Sequence, residues 1–187
     1  MIITETNIPG LLLFEPKVFA DSRGYFLESF NKKHFLDNGI DIDFVQDNQS
    51  LSQKGVVRGL HAQKPPFAQA KLVRVLQGAV LDVAVDVRIG SPTYGRHFSA
   101  ELSAENHLQL FIPAGFMHGF AVLTDNTIFT YKVSNYYSKE SEIGLIWNDP
   151  ALAIGWGIAE KDAIVSDKDQ LLPDWDKFQS PFTYQGL

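Results

Sequence analysis

Hydrophobic and polar residues alternate along much of this chain with a period of two. The clearest run is Ala79 to Arg88, where Leu81, Val83, Val85 and Val87 interleave with Asp82, Ala84, Asp86 and Arg88. β-Branched residues at that spacing predict a strand with one face buried. His107 to Ile112 alternates likewise, with Leu108, Leu110 and Ile112 on one side. Ile128 to Tyr137 is rich in Thr, Val, Phe and Tyr and predicts another strand; Lys71–Leu76, Phe98–Leu102 and Tyr25–Phe30 add three more. Helical signals are few. Asn31 is placed to cap a short helix over Lys32–Asp37, with Gly39 just past its end. Ser103 to Asn106 is predicted as a turn, and Ser166 to Trp175 as holding a helical turn before Pro173. Short strands with frequent turns predict an all-β sandwich or barrel with a few short helices. The long helices of a doubly wound α/β fold are missing from the pattern.

Composition narrows the function classes. The length of 187 residues fits a single domain spanning 1–187, and 45% hydrophobic with 20% charged residues is ordinary for a folded globule. The absence of cysteine excludes disulfides, thiolate metal sites and thiol nucleophiles. A net charge of −6 argues against nucleic acid or an anionic membrane as partner. No apolar stretch approaches the length of a membrane span, and the N-terminus lacks the pattern of a signal peptide, so the expected location is the cytoplasm.

Several segments carry candidate chemistry. In Arg58-Gly59-Leu60-His61-Ala62-Gln63, regular alternation puts Gly59, His61 and Gln63 on one face, Arg58 and Leu60 on the other. An imidazole on an inward face is a candidate general base; a core histidine satisfied by hydrogen bonds is the commoner outcome for such a segment alone. Pro113-Ala114-Gly115-Phe116-Met117-His118 has the P-x-G-x-x-H form of the second cupin motif, but His61-Ala62-Gln63 lacks the H-x-H pair of the first. Three protein ligands are not evident, so no metal is expected. Tyr131 shares a predicted face with Phe129, Val133 and Tyr137, and is either packing or a proton donor. Ser166 to Asp169 is a solvated turn or the source of a carboxylate that orients an imidazole. Arg23, Arg58, Lys71, Arg74 and Lys168 are dispersed cations, of which two or three converging would hold a diphosphate.

The order of these segments is more specific than any one of them. Asp21 to Gly24 with Phe26 and Glu28 is followed by Phe44-Val45-Gln46-Asp47-Asn48, Arg58 to His61, Lys71 to Arg74 and Asp82 to Asp86. Ile112 to Phe120, Tyr131-Lys132 with Asn135 to Tyr137, Trp147 to Pro150 and Ser166 to Asp169 complete the series. From about residue 10 to about residue 175 the chain resembles the dTDP-4-dehydrorhamnose 3,5-epimerases. The resemblance implies a jelly-roll, cupin-like barrel working as a homodimer on a dTDP-sugar, dTDP-4-dehydro-6-deoxy-D-glucose, without cofactor or metal. It implies His61 as general base, Asp169 as its orienting partner, Tyr131 as proton donor and Lys71 beside the keto oxygen. Arg23, Glu28, Gln46, Asn48, Arg58, His118, Glu142 and Lys168 match substrate-contacting positions, and Asp47 is placed with them. Phe26 and Tyr137 are candidates to hold the thymine or ribose, and Arg23 and Arg58 to meet the diphosphate. Two positions depart from the family pattern: Ala62, where an aromatic residue is common, and Ala70, where glycine is frequent. Relatives that epimerise one carbon, a cupin metal enzyme and a sugar-nucleotide binding module are the competing readings.

Overall fold

The structure, a computed structural model, describes residues 1–186. Two antiparallel sheets face each other. The first is ordered β1 (Ile2–Glu5), β2 (Leu12–Glu15), β11 (Gln109–Ile112), β7 (Lys71–Gln77), β13 (Thr127–Val133) and β5 (Gln46–Ser52). The second is ordered β10 (His97–Ser103), β8 (Ala79–Asp86), β12 (Phe116–Val122), β6 (Val56–Gln63) and β14 (Glu142–Gly144), with β15 (Ile164–Val165) running parallel to β6. The pair β9 (Arg88–Ile89) and β16 (Phe182–Thr183) ties down the C-terminal tail, and β3 (Val18–Asp21) and β4 (Gly24–Leu27) form a separate hairpin. This is the expected jelly-roll, cupin-like barrel.

Three apolar layers stack through it. Between the sheets lie Val73, Val80, Ala84, Leu110, Phe120 and Phe129. Outside the second sheet, Val57, Leu60, Val83, Val85 and Met117 pack against Trp147, Leu152, Trp156 and Phe182 of the C-terminal third. Outside the first sheet, Phe14, Leu72 and Phe111 pack against Phe35 of helix α1 (Lys32–Asp37). The helix has the expected bounds, with the Asn31 side chain accepting from the Lys33 N–H.

The layering corrects one expectation. β8 is buried on both faces: Val83 and Val85 point outward beneath the C-terminal segment, whereas Asp82 and Ala84 point into the barrel. The polar positions of the alternation therefore face the interior, not water. Four strands are shorter than predicted. β4 stops at Leu27 and β8 at Asp86, β11 starts only at Gln109, and β13 stops at Val133, so Tyr137 leaves the face it was expected to share with Tyr131.

Among the described residues, no helix is long and apolar enough to cross a membrane.

Candidate active site

One end of the space between the sheets is left open as a cavity of about 560 Å³. Its wall is built around an irregularity in β6. His118 of β12 pairs with His61 and Phe120 pairs with Arg58, so Gly119 alone opposes both Gly59 and Leu60. Gly59 has φ +117°, and a Cβ there would sit 2.6 Å from the Gly119 Cα. Only glycine accepts that conformation and that approach. The bulge resets the alternation. Arg58 and His61 both face the cavity, while Leu60 packs outward. The regular strand reading had separated Arg58 from His61 and set His61 on the same face as Gly59. Ala62 also packs outward, so its departure from the family pattern lies away from the cavity.

His61 is held by Asp169, with Nε2 2.7 Å from Oδ1. Asp169 comes from α2 (Asp167–Gln170), a single turn whose N-cap Ser166 accepts from the Asp169 N–H. Its second oxygen accepts from the Gly59 N–H at 3.4 Å. Burial opposes ionisation of this carboxyl, but the His61 hydrogen bond and charge, with help from Gly59 and Ser166, hold it below the ordinary aspartate range. An anionic Asp169 makes Nε2 the protonated ring nitrogen, leaving Nδ1 with a lone pair.

Across the cavity, on the first sheet, stand Lys71 of β7 and Tyr131 of β13. Burial pulls the Lys71 ammonium down to about 8, against the raising influence of Asp82 and Glu142. Burial pushes the Tyr131 phenol up, partly offset by the Arg58 charge, so it is protonated at neutral pH. Arg58 is steadied by Ser52, whose Oγ accepts from Nε and Nη2 at 3.3 and 3.2 Å. His118 donates through Nε2 to Asp82 Oδ2 at 2.9 Å, with burial holding the ring neutral.

At the rim, Glu142 accepts from the Tyr137 hydroxyl at 2.9 Å and from the Lys168 ammonium. Gln46 donates to Asn48 at 2.8 Å on the inward face of β5, where Asn48 pairs with Tyr131. Four expected contacts lie elsewhere. Asp47 is on the outer face of β5, bound to Lys132 at 2.9 Å. Arg23 and Phe26 stand on the β3–β4 hairpin in a separate surface hollow, Arg23 paired with Asp21. Glu28, just beyond the hairpin, accepts from Asn31 at 3.0 Å. Arg74, among the dispersed cations, faces outward near Gln109 and Thr130. Among the described residues, no cluster of three His, Asp or Glu side chains has metal-binding geometry.

A histidine–aspartate dyad facing a lysine and a tyrosine is equipped to remove a proton beside a carbonyl, steady the resulting oxyanion and return the proton. The family profile for dTDP-4-dehydrorhamnose 3,5-epimerase matches residues 5–177. The chain belongs to that family. A dTDP-4-dehydrorhamnose 3,5-epimerase of Shigella flexneri is 53% identical over 90% of this chain and 93% of its own. The crystal structure of a Legionella pneumophila dTDP-6-deoxy-D-glucose-3,5-epimerase in complex with dTDP-4-keto-L-rhamnose superposes with a TM-score of 0.94 at 46% identity, covering 99% of each chain. A 3'-monoepimerase of Streptomyces bikiniensis, in complex with dTDP-quinovose, is more distant, at 35% identity and TM-score 0.85 over 90% of this chain and 85% of its own.

Three polar residues at this site, Asp82, Ser52 and Ser166, carry no sequence signal of their own role, although Asp82 and Ser166 fall inside the ordered motifs. Asp82 was hidden because its alternation looked solvent-facing. Ser52 and Ser166 act on Arg58 and Asp169 through contacts that no local pattern announces.

Proposed function

We propose that this protein inverts carbons 3 and 5 of dTDP-4-dehydro-6-deoxy-D-glucose, giving dTDP-4-dehydro-L-rhamnose. The observation that carries the reading is His61 of one sheet, paired with Asp169 of α2, facing Lys71 and Tyr131 of the other sheet across one cavity. The 4-keto group acidifies the hydrogens on both neighbouring carbons. His61 Nδ1 takes one, and Asp169 stabilises the imidazolium that forms. Negative charge moves to the keto oxygen, where the Lys71 ammonium meets it; one well-placed donor of this kind contributes about 3–4 kcal/mol. A sugar lying between the sheets presents one ring face to His61 and the other to Tyr131, so the phenol delivers a proton to the face opposite the one deprotonated. Arg58 and Lys168 supply charge for the diphosphate, with Gln46, Asn48, His118 and Glu142 around the sugar. The level of identity to 3,5-epimerases, above that to the monoepimerase, favours inversion at both carbons.

The active unit in this proposal is a homodimer. Arg23 and Glu28 are substrate-contacting positions by resemblance and Phe26 a candidate to hold the thymine, yet all three lie off the cavity of their own chain. The hairpin carrying the first two leaves Phe19, Tyr25 and Phe26 exposed at 53%, 60% and 69%. A second copy would cover these rings while receiving Arg23 and Phe26 at its own cavity mouth, one cation for the diphosphate and one ring for the thymine.

The test is proton exchange. The protein is incubated with dTDP-4-dehydro-6-deoxy-D-glucose in heavy water without a reductase, and the sugar is followed by NMR. Deuterium at carbons 3 and 5 supports the proposal. Deuterium at one carbon makes the protein a monoepimerase, and none, with binding demonstrated, defeats the catalytic reading.

A further inference from the structure

The mechanism above leaves one buried charge without a task. Asp82 is fully buried in β8, on the face that points into the barrel. Its Oδ2 accepts from His118, while its Oδ1 has no hydrogen-bond partner among the described residues. An unpartnered carboxylate oxygen sealed from water costs several kcal/mol unless another charge compensates it. His118, which Asp82 holds, lines the same cavity as Lys71, and the Asp82 charge acts on that buried ammonium, which has no ion-pair partner among the described residues. Resting on the epimerase reading, we propose that Asp82 is a positioning residue for the reaction: its carboxylate, locked behind His118, is the counter-charge that keeps Lys71 an ammonium ready for the keto oxygen.

The surroundings of Lys71 leave this task to few groups. His118 from β12, His61 and Arg58 from β6, and Tyr131 from β13 bring neutral or positive character. Asp169 from α2 is engaged by His61, and Glu142 from β14 by Lys168 and Tyr137. Asp82 alone keeps a free oxygen. Burial already draws the lysine to about 8, so loss of a nearby negative charge lowers it further and strips the proton within the working range.

The experiment is the pH profile of kcat/KM for Asp82→Asn, which keeps the shape and an acceptor for His118. The alkaline limb, near pH 8 in the parent, moves down by about one unit, which is about fivefold lost activity at pH 8 and less than twofold at pH 6. A uniform loss across pH marks a merely structural role and overturns the proposal. In a Lys71→Met background, Asp82→Asn changes kcat/KM less than twofold; a further tenfold loss there also overturns it. Should the asparagine variant not fold, the coupling is read from the other side. Lys71→Met is compared with its parent, both carrying Glu142→Gln, by proton uptake between pH 7 and pH 5. The variant takes up more protons than its parent, and equal uptake overturns the proposal. This last measurement needs no substrate, so an inactive parent would defeat the epimerase reading while leaving the Asp82–Lys71 coupling to be decided.

Discussion

Replacing Asp169 by asparagine removes a charge from the cavity wall and almost no volume. The carboxylate holds His61 through one oxygen at 2.7 Å and meets the Gly59 N–H through the other at 3.4 Å. Asparagine cannot satisfy both. With its oxygen toward Nε2, its amide nitrogen points at the Gly59 N–H, donor against donor. Turned over, it accepts from Gly59 but donates to Nε2, so the ring proton moves to Nδ1 and the base has no lone pair on the cavity side. The first arrangement gives up the charged acceptor and sets two donors against each other, a loss of about 1.5–3 kcal/mol, or roughly 10- to 150-fold in rate. The second costs about 10⁴-fold, the scale known for a wrong-tautomer histidine in a serine-protease triad. The expected fall in kcat is therefore at least tenfold. It would be measured as initial deuterium incorporation into the substrate, with dTDP affinity determined by calorimetry. Affinity should stay within about twofold, because both Asp169 oxygens are engaged by His61 and Gly59 rather than offered to a ligand. A kcat above one third of the parent value, or a loss that tracks dTDP affinity, would refute the dyad argument.

Other outcomes follow from the same geometry. Tyr131→Phe should lower kcat by about 10²–10⁴ with dTDP affinity retained, as read by steady-state kinetics; unchanged turnover removes the phenol as proton donor. Gly59→Ala forces a Cβ to 2.6 Å from the Gly119 Cα at φ +117°, and should cost about 3 kcal/mol in urea denaturation together with most activity. Arg88→Met strands Asp86, which is fully buried and bound by Arg88, Ser91 and Thr93; about 3 kcal/mol or more should be lost at pH 7. Burial pushes the Asp86 carboxyl up, but those three partners hold it below 3.8. Its contribution is therefore complete above about pH 4 and disappears as pH falls through the lowered value. The deficit of the Arg88 variant should accordingly shrink toward pH 3, and a constant deficit in acid would contradict the assignment.

The strands were legible because a period of two survives any environment. Which face of a strand meets water was not. β8 alternates cleanly, yet both its faces are covered, one by Trp147 and Trp156 and the other by the opposing sheet. Alternation identifies residues that share a side; only tertiary packing says what lies on that side. The β6 bulge was invisible for a similar reason, since it depends on Gly59 meeting Gly119 across strands. The site was legible through motif order rather than local pattern, because His61 and Asp169 are 108 residues apart. Asp47 shows the limit of that approach: it sits within a matching motif, but a strand offers every second residue to the far side. Arg23, Phe26 and Glu28 likewise belong to a matching motif, yet in this chain they lie off the cavity.

The late arrival of Asp169 in the chain bears on how this protein becomes active. All strands of the two facing sheets except β15 end by Gly144, so the barrel can close before α2 is made. His61 waits without its carboxylate until the last tenth of the chain folds back along β6. That turn is a short piece, held by its Ser166 cap, a two-residue parallel strand, the Lys168–Glu142 ion pair and the Asp169 contacts with His61 and Gly59. Local opening of such a piece requires no unfolding of the barrel. Heat, mild denaturant or a nick near residue 160 should silence turnover while the sheets remain intact, making activity a more sensitive gauge of the tail than of the fold.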